Sequence, residues 1–117
     1  MIKPVRQNLT ILQGSTYDKR FAWKADGAPV DLSGAVLKCQ ARADVSADET
    51  LIDMTVSNGR LQIYDAVGGI FGIYLSAQET AALSFRRAVY DLEVHWASGE
   101  AARLMHGVIT LDLEVTR

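Results

Sequence analysis

Cysteine is almost absent from this sequence: Cys39 is the only one in 117 residues. A single cysteine cannot form an intramolecular disulfide, and zinc sites built from paired CxxC motifs are excluded as well. The chain therefore does not need an oxidising compartment in order to fold. Cys39 alternates onto an apolar face of its segment, so we interpret it as a small buried hydrophobic residue and not as a reactive thiol.

Long apolar runs are also absent. No stretch approaches the roughly 18 apolar residues of a membrane-spanning helix, so membrane insertion is not expected. The opening residues MIKPVRQNLTILQG lack the apolar segment of a secretory signal peptide. An excess of one charge is missing too, because 12 basic and 14 acidic residues leave a net charge of −2. Without a basic field, a nucleic-acid partner is not expected.

Histidine is rare, and the chemistry that uses it has little support. His95 and His106 are the only two, and both fall on the polar face of one predicted hairpin, near Asp91 and Glu93. Zinc usually takes three or four ligands at suitable spacing, and neither HExxH nor HxH occurs. No GxSxG nucleophile motif occurs either. We therefore predict no catalytic, cofactor-binding or metal-binding residues and no enzymatic activity, with a small enzyme or metal protein as the third hypothesis.

What the sequence does contain is alternation. Hydrophobic residues make up 49% of the chain, enough for one core in a single domain of residues 1–117. In Thr16–Lys24 and Ala35–Ala43 every second residue is apolar, apart from Lys19, which predicts half-buried strands. More alternating runs follow at short spacing without a long helical segment, and Asn8–Gln13 is a candidate first strand. This pattern is typical of an all-β antiparallel sandwich.

Two local signals predict a helix and a turn. The residues SAQE at Ser76–Glu79 have the S-x-x-E spacing of a capping box, so a short helix is predicted at about Ser76–Leu83. Asn58 and Gly59 both tolerate positive φ, so this pair predicts a tight hairpin.

The last two strands, Arg87–Trp96 and Arg103–Val115, predict a specific register. Each places its apolar residues on one face, and register requires that inward residues meet inward residues. Gly107 then leaves room beside the ring of Tyr90. The predicted pairs are Trp96–Ala101, Val94–Arg103, Leu92–Met105, Tyr90–Gly107 and Ala88–Ile109, with His106 opposite Asp91 on the outer face.

The stretch RRAVYDLEV at Arg86–Val94 resembles the AVYYC run of the sixth strand in immunoglobulin domains. Tyr90 is present, but Leu92 stands where that family has a disulfide-forming cysteine. A tyrosine corner needs no disulfide, because the ring fills the core while the hydroxyl bonds a backbone group in the preceding turn. We therefore predict an antiparallel immunoglobulin-like β-sandwich in which Tyr90 braces the turn after the helix and Leu92 packs the core.

Two candidate binding features remain. Trp23 and Trp96 would form an aromatic platform for sugars if exposed, but both fall on predicted inward faces, so core roles are favoured. A carbohydrate-binding module that aids host-surface attachment is the second hypothesis, and it requires that these rings be exposed. The basic residues do not cluster in sequence, and we expect scattered surface charge and no binding stripe. Those considered are Arg20, Lys38, Arg42, Arg86 and Arg87.

The order of several short segments resembles a family of small β-sandwich structural proteins of tailed bacteriophages and prophages, associated with the tail, baseplate or tail fibre. The resemblance covers nearly the whole chain. Each segment is a turn-and-strand signature, and their order carries the resemblance. The segments are Asn8–Gly14, Val30–Gly34, Gly72–Ala77 with the Ala-rich helix after it, Val89–Val94, Gly107–Thr110 and Glu114–Arg117.

The resemblance implies a virion structural protein, made in the bacterial cytoplasm without a signal peptide. It implies no catalytic residues, and its partners would be other tail or baseplate proteins in a symmetric assembly with several copies. Head decoration or head–tail joining stays open as an alternative position. Sandwich edges offer unpaired backbone groups that a partner strand can complete. Residues 1–7 are a candidate extended N-terminal arm that reaches a neighbour, with a frayed terminus as the alternative.

Overall fold

Alternation of apolar and polar residues shapes most of the chain into short strands, because a strand turns successive side chains to opposite faces. The computed structural model describes residues 3–116. Its elements are β1 (Val5–Arg6), β2 (Leu9–Leu12), β3 (Tyr17–Ala22), β4 (Lys24–Ala25), β5 (Ala28–Pro29), β6 (Val36–Arg42), β7 (Ile52–Thr55), β8 (Leu61–Asp65), β9 (Ile70–Leu75), α1 (Ala77–Ala81), β10 (Arg87–His95) and β11 (Ala101–Asp112).

The strands form two main sheets. The larger has the order β1-β11-β10-β6-β7, with β2 also paired to β11, and the smaller has the order β3-β9-β8. Strands β4 and β5 form a separate small hairpin. The order β11-β10-β6-β7 corresponds to strands G, F, C and C′ of a variable-type immunoglobulin domain, and β3-β9-β8 corresponds to B, E and D. The predicted immunoglobulin-like β-sandwich is therefore confirmed.

The two sheets enclose one hydrophobic core. On β6 the alternating residues Leu37, Cys39 and Ala41 are buried, while Lys38 and Gln40 between them are exposed. Strand β9 of the smaller sheet contributes large, fully buried side chains to the same core. The face of each sheet that turns away from this core carries the charged side chains together with some valines, and it is the face that a partner can reach.

The N-terminal strands depart from the antiparallel plan. Both β1 and β2 pair with β11 in parallel orientation. The strand predicted in Asn8–Gln13 is confirmed as β2, but it is not the first, because β1 precedes it. Within the candidate N-terminal arm, residues Val5–Gln7 lie along β11, because β1 pairs with β11 and the amide of Gln7 donates to the carbonyl of His106 at 2.8 Å. Met1 and Ile2 lie outside the described residues.

The predicted register between β10 and β11 is confirmed as far as Leu92. Beyond it a β-bulge adds one residue to β11, so Val94 pairs with Ala102 and His95 with Ala101. The predicted pairs Val94–Arg103 and Trp96–Ala101 are wrong for this reason. The bulge turns both Leu104 and Met105 inward, where each is fully buried. The confirmed pairs are Leu92–Met105, Tyr90–Gly107, Ala88–Ile109 and Asp91–His106.

The tight turn at Asn58-Gly59 forms, but the predicted hairpin is wrong. Strand β7 before it belongs to the larger sheet and β8 after it to the smaller sheet, so the turn is a corner between sheets. The side-chain oxygen of Asn58 accepts hydrogen bonds from the amides of Thr55 and Arg60, each at 3.0 Å. Gly59 has φ +79°, which side-chain-bearing residues rarely adopt.

The predicted capping box begins helix α1. The hydroxyl of Ser76 accepts from the amide of Glu79 at 3.1 Å, and the amide of Ser76 donates to the Glu79 carboxylate at 2.9 Å. The helix ends at Ala81, two residues before the predicted Leu83. The buried hydroxyl of Thr80 donates to the carbonyl of Ser15 at 2.8 Å. This bond, which the capping signal does not predict, ties the helix to the turn between β2 and β3.

Candidate functional site

The outer face of the larger sheet carries the candidate site, because charged side chains line its depressions. It consists of the residues between the buried ones on β6, β7, β10 and β11, which alternation directs away from the core. Two adjoining depressions lie on it, and they share Gln40 and Asp91.

The first depression, here called the acidic hollow, has a volume of about 940 Å³. Its acidic side chains are Asp53, Asp91 and Glu93. Val36 and Val56 also line it and are 54% and 48% exposed. The hollow therefore combines carboxylates with accessible apolar side chains. Its remaining lining residues are Ala35, Leu37, Lys38, Cys39, Gln40, Thr55, Ser57 and Ile63.

The second depression, here called the arginine cleft, has a volume of about 510 Å³. Four arginines line it, one each from β1, β6, β10 and β11, against two aspartates. The expectation that Arg42 and Arg87 are scattered surface charge is therefore wrong. Sequence distance hid the cluster, because only the strand order brings the four side chains to one place. The cleft residues are Arg6, Gln40, Arg42, Asp44, Val45, Arg87, Val89, Tyr90, Asp91, Arg103, His106, Gly107 and Val108.

The four arginines differ in how far the protein already uses their donors. Arg42 donates to the carbonyls of Ala47 and Asp48 at 3.0 and 2.7 Å, so it is held by the loop after β6. Arg103 lies 3.6 Å from a carboxylate oxygen of Asp91. The side chains of the other two arginines of the cleft have neither a hydrogen bond nor an ion pair within residues 3–116. These are Arg6 and Arg87.

The other basic residues considered from the sequence lie elsewhere. Arg20 on β3 stacks on the ring of Tyr64, 3.8 Å from its centroid. Lys38 faces the acidic hollow. Arg6 and Arg103 were not predicted from the sequence. The residues beside them in the chain form no motif that would indicate a cleft.

The two histidines lie on the outer face of the larger sheet, as predicted, but they do not converge. Nε2 of His95 is 3.1 Å from a carboxylate oxygen of Glu93. His106 is the register partner of Asp91 in the arginine cleft. In the described part of the chain, no group of three or more His, Cys, Asp or Glu side chains is arranged to hold a metal ion.

The tryptophans do not form a shared platform. Trp23 is 7% exposed and packs against Phe71 with ring centroids 6.4 Å apart, which confirms its predicted core position. Trp96 is half-buried against the core, and its indole N–H donates to the carbonyl of Asp31 at 3.1 Å. The exposure that the carbohydrate-binding hypothesis requires is absent at Trp23 and only partial at Trp96.

Cys39 and Tyr90 are held inside the core. Cys39 is 1% exposed, and burial raises the pKa of its thiol, as expected of a structural cysteine. Burial also raises the pKa of Tyr90. The hydroxyl of Tyr90 donates to the carbonyl of Gln7 and not to the turn after the helix, so the predicted tyrosine corner is wrong. The N-terminal segment takes the place that the turn was expected to occupy.

Open strand edges are the other accessible feature of the sandwich. Within residues 3–116, β3 pairs only with β9, and β7 pairs only with β6. Strand β3 is six residues long and alternates between exposed and half-buried side chains. Its free side presents unpaired backbone N–H and C=O groups, which are competent to pair with another strand.

Helix α1 is five residues long, and nothing helical in residues 3–116 is long and apolar enough to cross a membrane.

Comparison with known proteins gives a structural likeness only. No protein-family model and no curated protein sequence matches this chain. Among solved structures, the chain is similar to the crystal structure of the ZIG-8–RIG-5 IG1–IG1 heterodimer in its monoclinic form. That match has a TM-score of 0.45 and 11% sequence identity, and it covers 92% of this chain and 83% of that chain. The immunoglobulin-like assignment rests on the strand order described above.

Proposed function

We propose that the protein is a non-enzymatic structural subunit of a tailed-bacteriophage particle, located in the tail, baseplate or tail-fibre apparatus. It acts by contacts with other particle proteins, in several copies of a symmetric assembly, after synthesis in the bacterial cytoplasm. The resemblance of its ordered segments to small phage β-sandwich proteins supports a place in a phage particle. The surface of the fold supports a role in contacts with other proteins.

The observation that carries this proposal is the free edge of β3. Strands β1 and β2 both join the larger sheet, so no strand between residues 3 and 116 covers the free edge of β3 in the smaller one. A partner strand can add to such an edge through main-chain hydrogen bonds. Charged side chains on β3, Asp18, Lys19 and Arg20, disfavour uncontrolled pairing between edges. An edge that is free to pair, but whose charged side chains disfavour non-specific pairing, suits a specific assembly contact.

The proposal is tested on particles purified from the phage or induced prophage that carries the gene. Quantitative mass spectrometry is expected to find the chain at a fixed ratio to the tail subunits, and separated tails are expected to retain it. Absence of the chain from particles would overturn the proposal. Recovery with heads alone would overturn the tail position in favour of head decoration or head–tail joining.

The role of the β3 edge is tested with proline. Successive backbone N–H groups of a strand point to opposite edges. One of the two variants Lys19→Pro and Arg20→Pro therefore removes an N–H at the free edge of β3, and that variant leaves the pairing with β9 intact. The variant that keeps its thermal stability is expected to be lost from particles, because its edge can no longer pair fully. Alanine at the same position keeps the N–H and is the matched control. If the stable proline variant is incorporated into particles at the normal level, the free edge of β3 is not an assembly contact.

A further inference from the structure

The arginine cleft concentrates positive charge on a chain whose net charge is −2. Four arginines face two aspartates in one depression. Hydrogen bonds from Ser46 lower the pKa of Asp44, which keeps that carboxylate charged, yet it does not balance the cluster. Like charges held together on a folded surface repel one another, and an anionic partner relieves that repulsion.

The chemistry of the free donors points to carboxylates. The side chains of Arg6 and Arg87 have no hydrogen bond or ion pair within residues 3–116, so both guanidinium groups are available. A guanidinium presents its N–H groups in a planar fork that matches a carboxylate bidentately. Two such forks in one cleft suit a ligand with more than one acidic group.

The floor and rim of the cleft are apolar. Val89 and Val108 are register partners on the outer face, between the positions of the arginines. Val45 is 91% exposed at the loop that follows β6. Apolar contact beside charged contact is typical of a polypeptide ligand, whose side chains alternate between the two kinds.

The same residues disfavour a nucleic-acid backbone. Asp44 and Asp91 lie in the cleft and repel a continuous row of phosphates, and the net negative charge of the chain repels a polyanion at longer range. The aromatic residue of the cleft, Tyr90, is 4% exposed, so no ring is presented for base stacking.

We infer that the arginine cleft binds an acidic segment of a partner polypeptide, whose carboxylates pair with Arg6 and Arg87 while small or apolar side chains lie over Val89 and Val108. The inference rests on the proposed function for the setting of that partner, a neighbouring protein of the particle. The binding chemistry is tested separately from it.

The experiment uses the full chain, labelled with ¹⁵N, and a short synthetic peptide in which Glu and Thr alternate. The peptide is expected to shift the amide resonances of the cleft and to bind more weakly as salt rises. Arg87→Glu is expected to weaken the peptide about tenfold or more, the loss of one charge-assisted contact. Lys24→Glu changes the net charge equally at an exposed site outside the cleft, and it is expected to leave the affinity unchanged. Arg87→Gln gives a second test if Arg87→Glu does not fold.

Several outcomes would overturn the inference. Equal binding of a peptide with Gln in place of Glu would show that carboxylates are not read, and unchanged affinity in both Arg87 variants would place the site elsewhere. Stronger binding of inorganic phosphate or of a DNA oligonucleotide would assign the cleft to phosphates. Salt-sensitive self-association that Arg87→Glu abolishes would make a second copy the occupant. Since the peptide titration needs no particle, its failure is distinguishable from absence of the chain from virions.

Discussion

The hydroxyl of Tyr90 donates a hydrogen bond to the backbone carbonyl of Gln7, a residue 83 positions earlier in the chain. Gln7 lies between β1 and β2, and its amide donates in turn to the carbonyl of His106. A ring in the middle of the larger sheet thereby fixes the point where the N-terminal segment passes from one short strand to the next.

Tyr90→Phe removes this bond and leaves the ring in place. We expect the free energy of unfolding to fall by about 0.5–1.5 kcal/mol, the net worth of one such hydrogen bond. Urea denaturation measures the loss, and hydrogen exchange is expected to show faster exchange at Gln7 and Leu9. Tyr64→Phe is the control, because the hydroxyl of the exposed Tyr64 makes only a surface hydrogen bond to the side chain of Gln62. Equal losses in the two variants would contradict a special role for the contact with Gln7.

Gly107→Ala tests how closely the N-terminal segment approaches β11. A Cβ at Gly107 would lie 2.5 Å from the carbonyl oxygen of Gln7 and 2.9 Å from the side-chain oxygen of Asn8. We expect a loss of about 1–3 kcal/mol, because backbone must move to accept the methyl group. In Gly68→Ala the new Cβ meets the carboxylate end of Asp65, which can rotate away. Thermal unfolding of both variants should therefore show the larger drop for Gly107.

Ser76→Ala removes the N-cap of α1. The loss of the hydroxyl that accepts from the Glu79 amide is expected to cost about 1 kcal/mol. Ser84→Ala, at an exposed position just after the helix, serves as the matched control. If chemical denaturation gives the same stability for both alanine variants, the capping box contributes nothing measurable to the fold.

Alkaline pH is expected to destabilise the protein through Tyr17 and Tyr90, whose hydroxyl groups are shielded from water. Burial raises the pKa of Tyr17 from 10.0 to about 12 and raises that of Tyr90 in the same direction. Above pH 10 the unfolded chain releases these protons while the folded chain keeps them, so stability falls as the pH rises from 10 towards 12. The buried thiol of Cys39 acts in the same sense. Denaturant midpoints across this range measure the decline.

Tyr17→Phe isolates one contribution to that decline. The Tyr17 hydroxyl is buried and has no hydrogen-bond partner within residues 3–116, so its removal at neutral pH is expected to be neutral or stabilising. The variant should also lose less stability between pH 10 and 12 than the unchanged protein. An alkaline decline as steep as before would show that Tyr17 does not carry it.

The fold could be predicted where the alternation of apolar and polar residues is strict. The prediction failed where one extra residue interrupts that alternation. The register of β10 against β11 follows from the period of two, and it holds from Ala88 to Leu92. The adjacent apolar residues Leu104 and Met105 break that period, and they are the signal for the bulge. Asn58-Gly59 shows a different limit, because turn chemistry specifies a tight reversal but not which sheet the next strand joins.

The arginine cleft could not be predicted from the sequence, and the reason is topological. Arg42 and Arg87 line the same cleft because β6 lies beside β10, whereas β8 and β9 belong to the other sheet. The outward direction of each side chain is readable from alternation alone. Packing across the core decides which strands are neighbours, and no short sequence motif predicts that packing.

The parallel pairing of β2 with β11 also determines when the protein can complete its fold. Leu9 is the register partner of Ile109, and the side chain of Asn8 accepts from the amide of Val108, 100 residues away. A ribosome synthesises β2 well before β11, so β2 stays without this partner until β11 has emerged. Contacts of such sequence separation form slowly. For a chain that exposes an open edge at β3 as well, that interval is when chaperones matter most.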